Sequence, residues 1–101
     1  MYTEIRSFEW DDAKARRNVL KHEISFEEAT TAFHDFEGLI IEDADHSQTE
    51  LRQKLIGLSA AGRLLTVIFT MRTGSAARII STRPANRKEG LHYEQNRTFS
   101  V

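Results

Sequence analysis

The chain has 101 residues, 40% hydrophobic and 29% charged, with a formal net charge of -1 and no cysteine. That length supports one modest core and one domain over residues 1–101, and the lack of cysteine excludes a disulfide framework or a thiolate metal site. No apolar run approaches a membrane span and MYTEIRSFEW lacks a signal-peptide core, so a cytoplasmic chain with no membrane association is expected.

In chain order, Thr3 to Phe8 alternates weakly and suggests a short edge strand. The stretch from Trp10 to Phe33 holds two short helices. Asp11 or Asp12 can cap the first, and Trp10, Ala13, Arg17 and Leu20 form a thin stripe, with the Arg17 stem filling a gap in it. Lys14, Arg16, Arg17 and Lys21 follow the acids, a charge gradient that matches the helix dipole. Ser25-x-x-Glu28 has the form of a capping box for the second helix, with Ile24 before it as a staple to Ala29. Phe26, Ala29, Thr30 and Phe33 would form its buried face. The link His22-Glu23-Ile24 is very short, so Lys21 and His22 sit at a sharp corner, held by backbone yet open to solvent.

Residues 34–38 read as a turn and Leu39-Ile40-Ile41 as a strand, followed by an acidic loop. Gln53 to Ser59 reads as a strand with Leu55 and Gly57 opposite in face to Ile56 and Leu58. Leu64 to Phe69, apolar on both faces, belongs in the middle of a sheet. Ala60-Ala61-Gly62 and Thr73-Gly74-Ser75 are turn signals, and Arg78 to Thr82 is a further strand. Pro84 suits the first turn of a last helix running to about Gln95, although Gly90 costs about 1 kcal/mol there. The expected class is α+β: two N-terminal helices, a three- or four-stranded antiparallel sheet and a C-terminal helix. One sheet face would be dry and the other a shallow polar concavity.

Charge is unevenly spread. Residues 35–50 carry six acids and no Lys or Arg, whereas residues 71–101 carry six Lys or Arg against Glu89 and Glu94. Such asymmetry can focus a polyanion on one face of a near-neutral protein, or simply form a mixed, solvated surface.

The run F-E-W-D-x-A-K-x-x-x-N-x-x-K-H-x-I-S-F-E-E-A-x-x-x-F at Phe8–Phe33 resembles the opening of BrnT-type toxins, ribonucleases of bacterial toxin–antitoxin pairs. The likeness continues through Glu50-Leu51-Arg52, Gly57-Leu58-Ser59, G-R-L-L-T-V-I-F-T-x-R at Gly62–Arg72, R-I-I-S-T-R-x-A-x-R-K-E at Arg78–Glu89, and Tyr93. It covers about residues 8–94, and its specificity lies in the ordered set. The resemblance implies a RelE-like fold. It also implies an endoribonuclease that acts on messenger RNA and inhibits translation. A cognate ribbon-helix-helix antitoxin, BrnA-like, would neutralise it, and DNA would be met only through that partner. Three departures stand out. Glu23 replaces the glycine that usually follows Lys-His, so the corner must close without it. Met71 replaces an acidic residue before Arg72, and Pro84 follows Arg83.

RNA can be cleaved without a metal when its 2′-hydroxyl attacks the adjacent phosphorus. The protein must then move protons and stabilise charge on phosphate oxygens. Histidine suits the first task, arginine and lysine the second. The resemblance points to Lys21, His22, Arg52, Arg72 and Arg83 as the catalytic set, without saying which is the base. Arg78, Arg87 and Lys88 are candidate RNA contacts. Alternation along the last strand puts Arg78 and Arg83 on opposite faces unless a bulge or the strand end re-aims one. No cofactor is expected. His34 and His46 near Asp35, Asp43 and Asp45 match no metal-ligand spacing. Trp10 could stack on a base or pack in the core. His22 could merely cap its helix, and Arg52 could pair with nearby acids. The alternatives to an enzyme are an inactive module that docks an acidic partner or nucleic acid, and a degenerate family member.

Overall fold

The computed structural model describes residues 5–43 and 51–98. It contains β1 (Ser7–Glu9), α1 (Asp12–His22), α2 (Phe26–Ala32), β2 (Leu39–Glu42), β3 (Gln53–Leu58), β4 (Leu64–Arg72), β5 (Ala76–Pro84) and α3 (Arg87–Thr98). The strands form one sheet in the order β1-β5-β4-β3-β2. The expected α+β class holds, with two helices before the antiparallel meander and one after it. The strand count does not: the sheet has five strands and is mixed, because β1 runs parallel to β5, Ser7 opposite Ala76 and Glu9 opposite Arg78. Three residues with one apolar point carry no local mark of a pairing with a strand some 70 positions later, so an edge strand was legible and its partner was not.

β4 is central, as its apolar run requires. Leu55, Leu65, Val67, Phe69, Ala77 and Ile79 point from the sheet toward Ile24, Phe26, Ala29, Ala32 and Phe33 on and beside α2. Phe33 meets Phe8 and Phe69 at ring-centroid distances of 5.1 and 5.0 Å, and Trp10 meets Phe26 edge-on at 5.8 Å. Full burial of a side chain such as Phe26 or Phe69 contributes about 2–3 kcal/mol. Trp10 is thus a packing residue. Gly57 lets α2 sit close, since a Cβ there would lie 2.9 Å from the Ala32 carbonyl oxygen. Ser25 caps α2 by accepting from the Glu28 N–H at 3.0 Å. The Glu28 carboxylate turns instead to Arg63 and Ser59, bolting α2 to the β3–β4 turn.

α1 departs from its expected stripe. Leu20 is 85% exposed and Arg17 is exposed, while the buried residue is Asn18. Its amide donates to the Ile24 carbonyl at 3.0 Å and its oxygen accepts from the Thr82 N–H at 3.1 Å. β1 pairs with β5 only over residues 76–78. Farther along, α1 packs beside β5 and Asn18 satisfies an edge donor that a strand would otherwise take. A search for apolar periodicity passes over a helix whose inward contact is an amide.

The other sheet face is only partly open. α3 lies across one end of it, covering Ile56, and Tyr93 donates to Asp35 at 2.7 Å. Pro84 ends β5 rather than opening the helix, and Asn86 caps α3. The Ala85 N–H still reaches the Leu64 carbonyl at 3.0 Å, extending the ladder past the proline.

Candidate active site

Two features aim the candidate residues. The first is the α1–α2 corner. Glu23 closes it in the left-handed conformation, with φ 58° and ψ 35°, and its N–H bonds to the Val19 carbonyl. The corner therefore keeps the geometry a glycine would favour, at a cost of about 1–2 kcal/mol for a side chain there. Lys21 and His22 fill the last turn of α1, where the dipole favours cations. The second feature is a bulge in β5. Phe69 pairs with Ile79, but Ile68 pairs with Ser81, so Ile80 is extra. It shifts the alternation by one. Arg78 opposite Thr70 and Arg83 opposite Thr66 therefore lie on the same face, away from the α2 core.

A cavity of about 460 Å³ lies between α1 and the β5 edge, lined by Lys14, Arg17, Asn18, Lys21, His22, Ile80, Ser81 and Arg83. A second, of about 330 Å³, lies on the open sheet face, lined by Asp43, Arg52, Lys54, Ile68, Ile80, Ser81 and Arg83. Ile80, Ser81 and Arg83 belong to both, so Arg83 stands at the junction of two cation-lined hollows.

Arg83 is held by Glu89. Its Nη1 and Nη2 donate to the two carboxylate oxygens at 2.7 and 2.9 Å, and Nη1 also donates to the Pro84 carbonyl at 3.3 Å. Lys54 donates to the same carboxylate at 3.3 Å, Thr66 at 2.8 Å and the Asn86 N–H at 2.9 Å. The Glu89 side chain is 6% exposed and that of Arg83 36%. Burial pushes the Glu89 carboxyl up, but the hydrogen bonds from Arg83, Asn86 and Thr66 outweigh it and hold the pKa at about 2. The Glu89 hydrogen bond raises the Arg83 pKa further.

The expected catalytic residues thus divide. Lys21, His22 and Arg83 share the α1-side cavity, and Arg52 and Arg83 share the sheet-side one. Arg72 lines neither. It borders a separate hollow with Leu51, Gln53 and Thr70 and lies 3.6 Å from Glu9, as does Arg78. Arg87 and Lys88 are exposed in the first turn of α3 and line neither cavity. Among the acids near the histidines, Asp35 accepts from Tyr93 and from the Leu58 and Glu37 N–H groups, a structural role. His46 and Asp45 fall outside the described residues.

Lys54 and Glu89 were missed. Strand alternation puts Lys54 on the face of Arg52, and Asn86-x-x-Glu89 has capping-box form, so both signals were present. Lys14, assigned to dipole matching, lines the α1-side cavity with Arg17.

Residues 10–89 match the family model described as ribonuclease toxin, BrnT, of type II toxin–antitoxin system. The fold is similar to the 1.1 Å crystal structure of the Brucella abortus ribonuclease toxin BrnT, with a TM-score of 0.61 and 21% identity over 81% of this chain and 100% of that one. A search among curated proteins found no match. With four-fifths of its length inside the family model, the chain belongs to the BrnT ribonuclease toxins of type II toxin–antitoxin systems.

Proposed function

We propose that this toxin cleaves RNA without a metal at the junction of the two cavities, with Arg83 on the scissile phosphate. Family membership implies an RNA target and a cognate antitoxin. The observation that carries the site is the sharing of Arg83 by both hollows. Its end-on pairing with Glu89 leaves the Nε–Nη2 edge, a two-donor fork that matches phosphate. Lys21 and Arg52 approach from the two sides and add charge stabilisation. His22, in the α1-side cavity, is the group suited to move a proton. The O2′–P bond forms and the P–O5′ bond breaks, leaving a cyclic phosphate and a 5′-hydroxyl. The α1-side cavity is lined by cations and His22 with no carboxylate, a poor donor set for a hard divalent ion.

The antitoxin is proposed to be a ribbon-helix-helix protein, through which alone the toxin meets DNA, and the site of action is the cytoplasm. Among the described residues no helix is long and apolar enough to cross a membrane.

The test is incubation of purified toxin with a defined RNA in EDTA, beside Arg83→Ala and His22→Ala, with product ends mapped. Cleavage to 5′-hydroxyl ends that both variants lose supports the proposal. Cleavage only without EDTA would overturn its metal independence. A second reading, a binding module without cleavage, is favoured by one observation: Arg83 already has a carboxylate partner. RNA retention with intact RNA at every toxin concentration would select it.

A further inference from the structure

Glu89 does more than a helix cap requires. Its side chain is nearly buried, and its two oxygens accept five hydrogen bonds. A cap needs one of these, the Asn86 N–H, and Asn86 returns the favour by accepting from the Glu89 N–H at 2.8 Å. The donors fall into two groups. Thr66 on β4 and the Asn86 N–H are neutral and sit on rigid elements, so they fix the carboxylate. Arg83 and Lys54 are cations that line the sheet-side cavity. They come from β5 and β3, on either side of β4, and converge on one anion. A long cationic side chain left to itself samples many rotamers. Here the fixed carboxylate selects one for each.

Building on the ribonuclease reading above, we propose that Glu89 is a positioning residue for the reaction. It aims the free edge of Arg83 at the phosphate, holds Lys54 beside it, and sets how much of their charge the RNA meets. It touches no substrate itself. A helix cap with no further role would make binding and rate fall together with the folded fraction. A positioning carboxylate predicts a split, because removing its charge makes the cavity more positive while releasing the two cations from their fixed pose.

The experiment compares wild type, Glu89→Gln and Glu89→Asp in single-turnover cleavage of a defined RNA. It also measures binding of the same sequence with a 2′-deoxy substitution at the cleaved nucleotide, across a salt series, and thermal melting. Glutamine keeps an acceptor for Asn86 and Thr66 but no charge. Its cleavage rate is expected to fall by about 30-fold or more, as for loss of one oriented charge stabiliser. Its RNA affinity is expected to hold or rise, with a salt dependence steeper by about one phosphate contact. Aspartate, charged but one methylene short, should recover part of the rate. A wild-type rate in Glu89→Gln would overturn the inference. So would rate and affinity falling together in proportion to lost folded protein. If wild type cleaves no RNA, the ribonuclease reading fails by that result alone. The binding arm still judges Glu89: an unchanged affinity and salt slope in Glu89→Gln would overturn its effect on the cations.

Discussion

The open sheet face carries two clusters of the same composition, one carboxylate between two cations. At one end Glu9 lies 3.6 Å from both Arg72 and Arg78, with its side chain 44% exposed. At the other Glu89 meets Arg83 at 2.7 Å and Lys54 at 3.3 Å, with its side chain 6% exposed. The inventories are alike and the physics is not. Water screens the first cluster, and its long side chains lose entropy to meet, so it is worth little. The second is fixed from behind by Thr66 and the start of α3, and its geometry is set before any ligand arrives. Position in the chain explains the contrast. Glu9 ends a three-residue edge strand, whereas Glu89 sits in the first turn of a helix laid over the sheet.

The sharpest way to break this comparison is at the cations. Arg83→Ala is expected to lower RNA cleavage by about 10³-fold, and Arg72→Ala by less than about tenfold, in the same single-turnover assay. Equal losses would show that the exposed cluster is as well placed as the buried one. The next effect is on stability. Glu89→Ala strands Arg83 and Lys54 and removes the acceptor for the Asn86 N–H at the start of α3, so about 3 kcal/mol should be lost in urea unfolding. Acid should reveal the same carboxylate. Because the folded pKa of Glu89 lies at about 2, below its ordinary value of 4.5, its stabilisation is complete above that ordinary value. It is lost as pH falls toward the folded value. The stake is about 2 kcal/mol after allowance for screening at the solvent side of Arg83. Unfolding midpoints between pH 5 and pH 2.5 should fall in wild type, and fall less in Glu89→Gln. Smallest is Glu9→Ala, expected to change stability by less than about 0.5 kcal/mol, and by nothing measurable at 1 M salt. A larger change there would mean that Glu9 holds β1 onto β5 through Arg78.

Much of this was legible in the chain. The β4 run, the face assignments of Leu55 and Ile56, the two turns and the Ser25 cap all follow from local pattern, and local pattern is what governs them. The resemblance grouped Lys21, His22, Arg52 and Arg83, and the fold brings these four around two adjoining cavities. What escaped depends on contacts distant in sequence or on one extra residue. The β1–β5 pairing joins segments at opposite ends of the chain. Asn18 serves a backbone donor on Thr82 that no periodicity announces. The corner had to close without the usual glycine, and Glu23 adopts the left-handed conformation itself, with Arg63 donating to its carbonyl at 3.1 Å. The resemblance also grouped Arg72 with Arg83. They end different strands at opposite ends of the sheet, and strand-end position alone does not say which.

The bulge at Ile80 bears on how such a chain tolerates change in length. Five positions separate Arg78 from Arg83, an odd number, and a regular strand would turn one of them into the core. The bulge absorbs the odd residue. Loss of any one residue between the two arginines would straighten the strand yet leave both on the outer face, about 3.3 Å closer together. The same loss within β4, which has no spare residue, would turn half of its side chains over. Gaps between relatives should therefore collect in the middle of β5 and be rare in β4, and the spacing of the two arginines is free to shorten by one without reversing the face they share.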